Sequence, residues 1–300
     1  MLDLASYQVA DGPAQPETEL LKVDRAVRQQ LGLPWRSGEM VQPWYDRKFG
    51  PQPEVKGRVK LSFAFEVETL PTRPLRLGLE EPGQFRAALN GRQLTLGKGD
   101  WWVDPAIRTF VLPPDALRPG TNELTLTAEF RPDLNLEALY LLGEFGVRLS
   151  GTRKTLTKLP ATLAVGDLVP QGLPFYTGTV TYRLPTPART PAGQSVFLLA
   201  PKFQAACLRV KAGEDGEVLI AWQPYEADLT RAGLAGDALR LDAVLTRRNT
   251  FGPLHRVPLR AGAYGPGHFV TEGQSWSQHY QLYPSGLLEA PVLCVREPVK

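Results

Sequence analysis

Several things are scarce in this chain. Among its 300 residues there are two Cys, two Met, two Ile and three His. Two cysteines, Cys207 and Cys294, cannot form a disulfide framework, and each sits in an apolar run, so two free buried thiols are expected. Three histidines at 255, 268 and 279, spaced across loop-like sequence, do not make a metal motif. No apolar run approaches the roughly 20 residues of a membrane span. Residues 1 to 20 carry neither a basic start nor a continuous apolar segment. Localisation stays open on that ground, because a longer parent could be secreted or periplasmic. There is no basic run and the net charge is only +3, which argues against a nucleic-acid partner. Known chemical fingerprints are also missing. Gly91–Gly99 has the wrong spacing for a phosphate loop, and Gly273-Gln274-Ser275-Trp276-Ser277 lacks the closing glycine of a nucleophile elbow.

What is abundant is turn chemistry. Gly and Pro number 28 each and are spread along the whole chain, as many short strands joined by turns require. Val59, Leu61, Phe63, Phe65 and Val67 alternate with polar or small residues, the mark of a half-buried strand. Asn90-Gly91 between Phe85-Ala87-Leu89 and Leu94-Leu96 predicts a type I′ hairpin. Leu124, Leu126 and Ala128 predict another strand behind the turn Pro119–Asn122. One helix is predicted, Glu17 to Leu31, with Leu20, Leu21, Val23, Val27 and Leu31 as its apolar stripe and Gly32 after it. Trp35, Trp44, Tyr45 and Phe49 follow in a Pro-rich stretch and are expected to cover a sandwich or a neighbour. A loose internal repeat relates Trp102 through Gly120 to Leu124-x-Leu126 with Trp222 through Gly236 to Leu239-x-Leu241.

The expected fold class is therefore all-β: two antiparallel β-sandwiches with a short helical lead-in. The expected boundaries are 1–53 for the lead-in, 54–165 for the first sandwich and 166–300 for the second.

The segments Gln171–Tyr182 and Arg247–His255 resemble the C-terminal β-sandwich region of large bacterial glycoside hydrolases. Leu89-Asn90-Gly91, Trp102-Val103-Asp104 and Gly120-Thr121-Asn122-Glu123-Leu124 resemble the galactose-binding-like, family 2 sugar-binding-like sandwich, a jelly-roll type. One departure is the loop Lys211–Gly216, where such modules carry an Asn-Gly tip. The resemblance implies an accessory region that binds carbohydrate or docks on a catalytic domain upstream, without cofactor or metal. A self-contained hydrolase with an Asp/Glu pair and a purely structural module are the alternatives. Asp104, Glu137, Glu144, Asp167 and Glu226 sit beside aromatics or glycines, where salt bridges or turn roles are expected.

Sugar binding needs flat aromatics for the C–H face of the ring and planar polar groups for hydroxyls. The candidates are Trp101, Asp104, Trp222, Tyr225, Arg248, Asn249, His255 and Trp276. The bland alternatives are core packing for Trp102 and Trp222, and turn hydrogen bonding for Asn249 and His255 beside Gly252-Pro253.

Overall fold

The computed structural model describes residues 1–35, 48–50, 53–97, 99–185, 193–212, 216–230, 239–260 and 262–297. Trp44, Tyr45, Lys98, Gly236 and most of the loop between Lys211 and Gly216 lie outside the described residues. The protein is all-β, with several antiparallel sheets and, among the described residues, no closed barrel and one helix longer than a single turn. It divides into two compact units, one of residues 1–159 with 255–280, the other of 160–254 with 281–300. The segment His255–Tyr280, expected in the second sandwich, thus belongs to the first unit.

The strands of the first unit are β1 (Leu4–Val9), β2 (Gln15–Glu19), β3 (Gly57–Val67), β4 (Arg76–Glu80), β5 (Arg86–Leu89), β6 (Arg92–Leu94), β7 (Asp100–Trp102), β8 (Asp104–Val111), β9 (Gly120–Phe130), β10 (Tyr140–Leu142), β11 (Gly146–Ser150) and β12 (Arg153–Thr157). They form a larger sheet ordered β11-β12-β3-β9-β5-β6, with β1 and β2 added beside β3, and a smaller one ordered β10-β4-β8-β7. All pairings are antiparallel except the short contact of β12 with β3. The alternating residues Val59 to Val67 face inward with Leu124, Leu126, Ala128 and Phe130 of β9, and Leu75, Leu77, Leu79, Phe110 and Leu112 come from the other side. Phe63, Phe65 and Phe130 are fully buried, and each such side chain contributes about 1.5–3 kcal/mol of transfer free energy.

The lead-in is part of this sandwich rather than a separate segment, because β1 pairs with β3 from Ser6↔Ser62 to Val9↔Val59. The helix α1 (Leu20–Gln30) starts later than the sequence pattern suggests. Residues up to Glu19 pair with β1, and the Glu19 carboxylate then accepts from the Leu21 and Lys22 amides, a cap that fixes the helix start. Leu20, Val23 and Val27 pack into the core.

The Asn90-Gly91 turn and the Gly120–Leu124 segment meet in space. Asn90 has φ 52 and Gly91 φ 82, the two positive angles of the expected turn. The Asn90 amide donates to the Asn122 Oδ1 at 2.8 Å and to the Ala116 carbonyl. Asn122 is fully buried and uses its whole amide: Oδ1 also accepts from the Arg118 amide, and Nδ2 donates to the Arg118 and Gly120 carbonyls. Asn122→Ala is expected to destabilise the chain by about 1–3 kcal/mol, because it strands several of these groups. Denaturant unfolding checks it, and an unchanged midpoint would refute the assignment.

The strands of the second unit are β13 (Thr179–Leu184), β14 (Ser195–Leu199), β15 (Phe203–Gln204), β16 (Cys207–Ala212), β17 (Gly216–Ile220), β18 (Glu226–Asp228), β19 (Leu239–Val244), β20 (Gly286–Leu287) and β21 (Val292–Arg296). The sheet β13-β19-β16-β17 faces the sheet β18-β14-β21, with Val180, Tyr182, Leu208, Val210, Ile220, Leu239 and Leu241 meeting Val196, Leu198 and Ala227 in one core. Cys207 and Cys294 are free and half-buried, on strands of different sheets.

Candidate functional site

The proposed sugar contacts divide between the two units. Trp101, Asp104, His255 and Trp276 lie in the first; Trp222, Tyr225, Arg248 and Asn249 lie in the second.

In the second unit, Trp222 and Tyr225 share the short bend between β17 and β18. Trp222 is 71% exposed, so the core-packing alternative does not hold for it. Its counterpart Trp102 instead packs on Tyr140 with centroids 5.3 Å apart. Tyr225 is partly held by an edge-on contact with Phe203 (4.9 Å) and is otherwise open at 39%. Leu219, the penultimate residue of β17, is also exposed. Arg248 and Asn249 do something else. They open a single helical turn, Arg248–Phe251, and the buried Asn249 amide donates to the Tyr283 carbonyl and accepts from its N–H. The Arg248 guanidinium lies 5.1 Å from the Tyr283 ring, and the Thr250 hydroxyl donates to the Phe175 carbonyl. Asn249 and Thr250 satisfy backbone groups that the turn leaves without ladder partners.

In the first unit, Trp101 is exposed on the edge strand β7, and Asp104 accepts from the Ala106 amide, a turn role. His255 is buried in a polar cluster that no local pattern announces. Its Nε2 faces Asp3 Oδ2 at 3.1 Å and its Nδ1 faces the Ser277 carbonyl at 2.9 Å. The other Asp3 oxygen accepts from the Tyr280 hydroxyl at 2.5 Å, and Lys154 Nζ lies 2.8 Å from that hydroxyl and 3.6 Å from Asp3. Burial alone would raise the Asp3 pKa. The His255 hydrogen bond and the Lys154 charge outweigh it and hold the carboxyl down to about 2. Burial, followed by the Asp3 charge, raises the Tyr280 hydroxyl well above its ordinary value. Glu19, capping α1 nearby, is pushed up to about 7, chiefly by burial. Trp276 stacks over His255 at 6.1 Å, and Lys22 Nζ sits 3.0 Å from the centre of its ring.

An Asp–His pair invites comparison with a general base. Here both ring nitrogens are engaged and both Asp3 oxygens are taken, so the ring offers no open edge to a substrate. One carboxylate instead pins both ends of the segment His255–Tyr280, and the adjacent Gln281 N–H to Leu254 carbonyl bond (2.6 Å) closes its neck. No group of three or more His, Cys, Asp or Glu suits a metal among the described residues. The carboxylates singled out by sequence are engaged as well. Glu144 pairs with Arg73 and Glu226 with Arg296, while Asp167 accepts from the Val169 and Ser285 amides.

No protein-family model matches the chain, and no curated protein matches it.

Proposed function

We propose that this chain is a non-catalytic, carbohydrate-binding accessory region, with its sugar contact on the Trp222–Tyr225 bend of the second sandwich. The observation that carries the reading is the 71% exposure of the Trp222 indole. A large aromatic held in water is unfavourable for the free chain, and its flat face suits the C–H face of a pyranose ring. Tyr225 adds a second ring on the same bend with a hydroxyl able to donate and accept. The engagement of Asp3, His255, Glu144, Asp167 and Glu226 in ion pairs and turns favours binding over hydrolysis.

Affinity electrophoresis through gels containing neutral plant polysaccharides provides the test. Trp222→Ala is expected to weaken retention about tenfold or more, the effect of losing a central aromatic contact. Its melting temperature should stay close to that of the native chain, because an exposed ring contributes little to folding. Full retention by a Trp222→Ala, Tyr225→Ala double variant would remove this bend from consideration.

A further inference from the structure

The register of the sheet β13-β19-β16-β17 places cations side by side. Arg183 on β13 lies directly opposite Arg240 on β19, and Arg240 lies directly opposite Lys211 on β16. All three alternate with core residues and so project from the outer face of the sheet. Adjacent strands are roughly 4.8 Å apart, so three positive groups line one row across three strands. Like charges directly opposite one another destabilise a sheet.

The next row along the face handles charge differently. There Asp242 lies opposite Thr181 on one side and Arg209 on the other. It accepts from the Thr181 hydroxyl at 2.6 Å and from the Arg209 guanidinium at 2.8 Å. Lys211 leans towards it, 3.7 Å away, and Glu217 lies opposite Lys211 and 3.9 Å from Arg209. Asp242 and Glu217 thus serve Arg209 and Lys211. Arg183 and Arg240 are exposed and have no anionic partner among the described residues.

We infer that this outer face binds an acidic polysaccharide, with the carboxylates of uronate residues taken by Arg183 and Arg240. The inference rests on the carbohydrate-binding reading above and names the class of sugar. Guanidinium groups fit carboxylates in a two-pronged geometry, which a uronate presents and a neutral hexose does not. The strand spacing is close to the length of one pyranose unit, so neighbouring arginines can meet neighbouring sugars. Leu219 lies on the same face, and β17 runs on from it towards the bend that carries Trp222.

The test uses the full chain with three probes: polygalacturonate, its methyl ester and single-stranded DNA. Polygalacturonate should be bound more tightly than its ester at low ionic strength, and the difference should shrink as salt is added. The R183Q/R240Q double variant should bind polygalacturonate about tenfold more weakly, in line with two partly exposed charge contacts. Its melting temperature should hold or rise, because the variant relieves a like-charge row. Equal binding of acid and ester, unaltered binding by the double variant, or tighter binding of DNA than of polygalacturonate would each overturn the inference. If Trp222→Ala abolishes retention on neutral polymers while the double variant changes nothing, only the acidic-sugar inference falls. If the native chain retains no polysaccharide at all, the carbohydrate reading falls with it.

Discussion

Asp3→Ala is expected to destabilise the first unit by about 3–5 kcal/mol, the usual result of removing one partner of a buried ion pair. Asp3 is 3% exposed and is the acceptor for both His255 and Tyr280. Its removal leaves the Lys154 ammonium, 4% exposed, without its only anionic neighbour in the ion-pair geometry of the described residues. The loss should be local as well as global. Amide hydrogen exchange in His255–Tyr280 should accelerate more than in β3 or β9, because one carboxylate pins both ends of that segment. Combining Asp3→Ala with Lys154→Met should recover part of the stability, since the stranded charge goes with its partner. A single-variant loss under about 1 kcal/mol would show that the cluster is not holding the segment.

Glu19→Gln should change stability in a pH-dependent way with an unusual sign. The Glu19 carboxyl rises from 4.5 to about 7 on folding, so the folded chain keeps a proton that the unfolded chain releases in that window. Its contribution to stability is therefore complete below 4.5 and is lost as the pH climbs through 7. Asp3 runs the other way. It is depressed from 3.8 to about 2, so its contribution is present above 3.8 and disappears as the pH falls through 2. The Met1 amino group, driven down to about 5 first by burial and then by Lys154, strengthens folding as the pH rises from 5 to 8 and partly masks Glu19. The Glu19 effect is thus read as a difference between the native chain and E19Q, measured by denaturant unfolding at several pH values. Relative to the native chain, E19Q should gain stability steadily as the pH rises from about 4.5 to 8. A difference that stays flat across that range would mean that Glu19 is solvated.

Much of the fold is written in short-range pattern. The alternation from Val59 to Val67, the Asn90-Gly91 turn and the apolar stripe of α1 are each set by neighbours in sequence, and each forms as local chemistry dictates. The helix start was less legible, because β1 competes for residues 15–19 and wins them by strand pairing. Trp222 is legible as a candidate contact, but its sequence position does not separate an exposed ring from a core one. The Asp3 cluster was not legible at all. Asp3 and His255 are 252 positions apart, and neither sits in a pattern that marks a polar core. The cation row shows the same thing on a sheet. Residues 183, 211 and 240 form no basic run along the chain, and only strand register sets them side by side. An interspersed charge pattern therefore excluded a basic run, not a basic surface.

The neck at Leu254 and Gln281 bears on how the molecule can be taken apart. The first unit is discontinuous in sequence, so no single cut yields both units intact. A fragment ending near residue 159 would carry Asp3 and Lys154 but lack His255, Tyr280 and Trp276. A fragment starting near residue 160 would carry His255–Tyr280 without the surface it packs on. To express the sugar-binding candidate alone, the gene would have to excise codons 255 to 280 and rejoin Leu254 to Gln281, whose backbones are already within one hydrogen bond of each other.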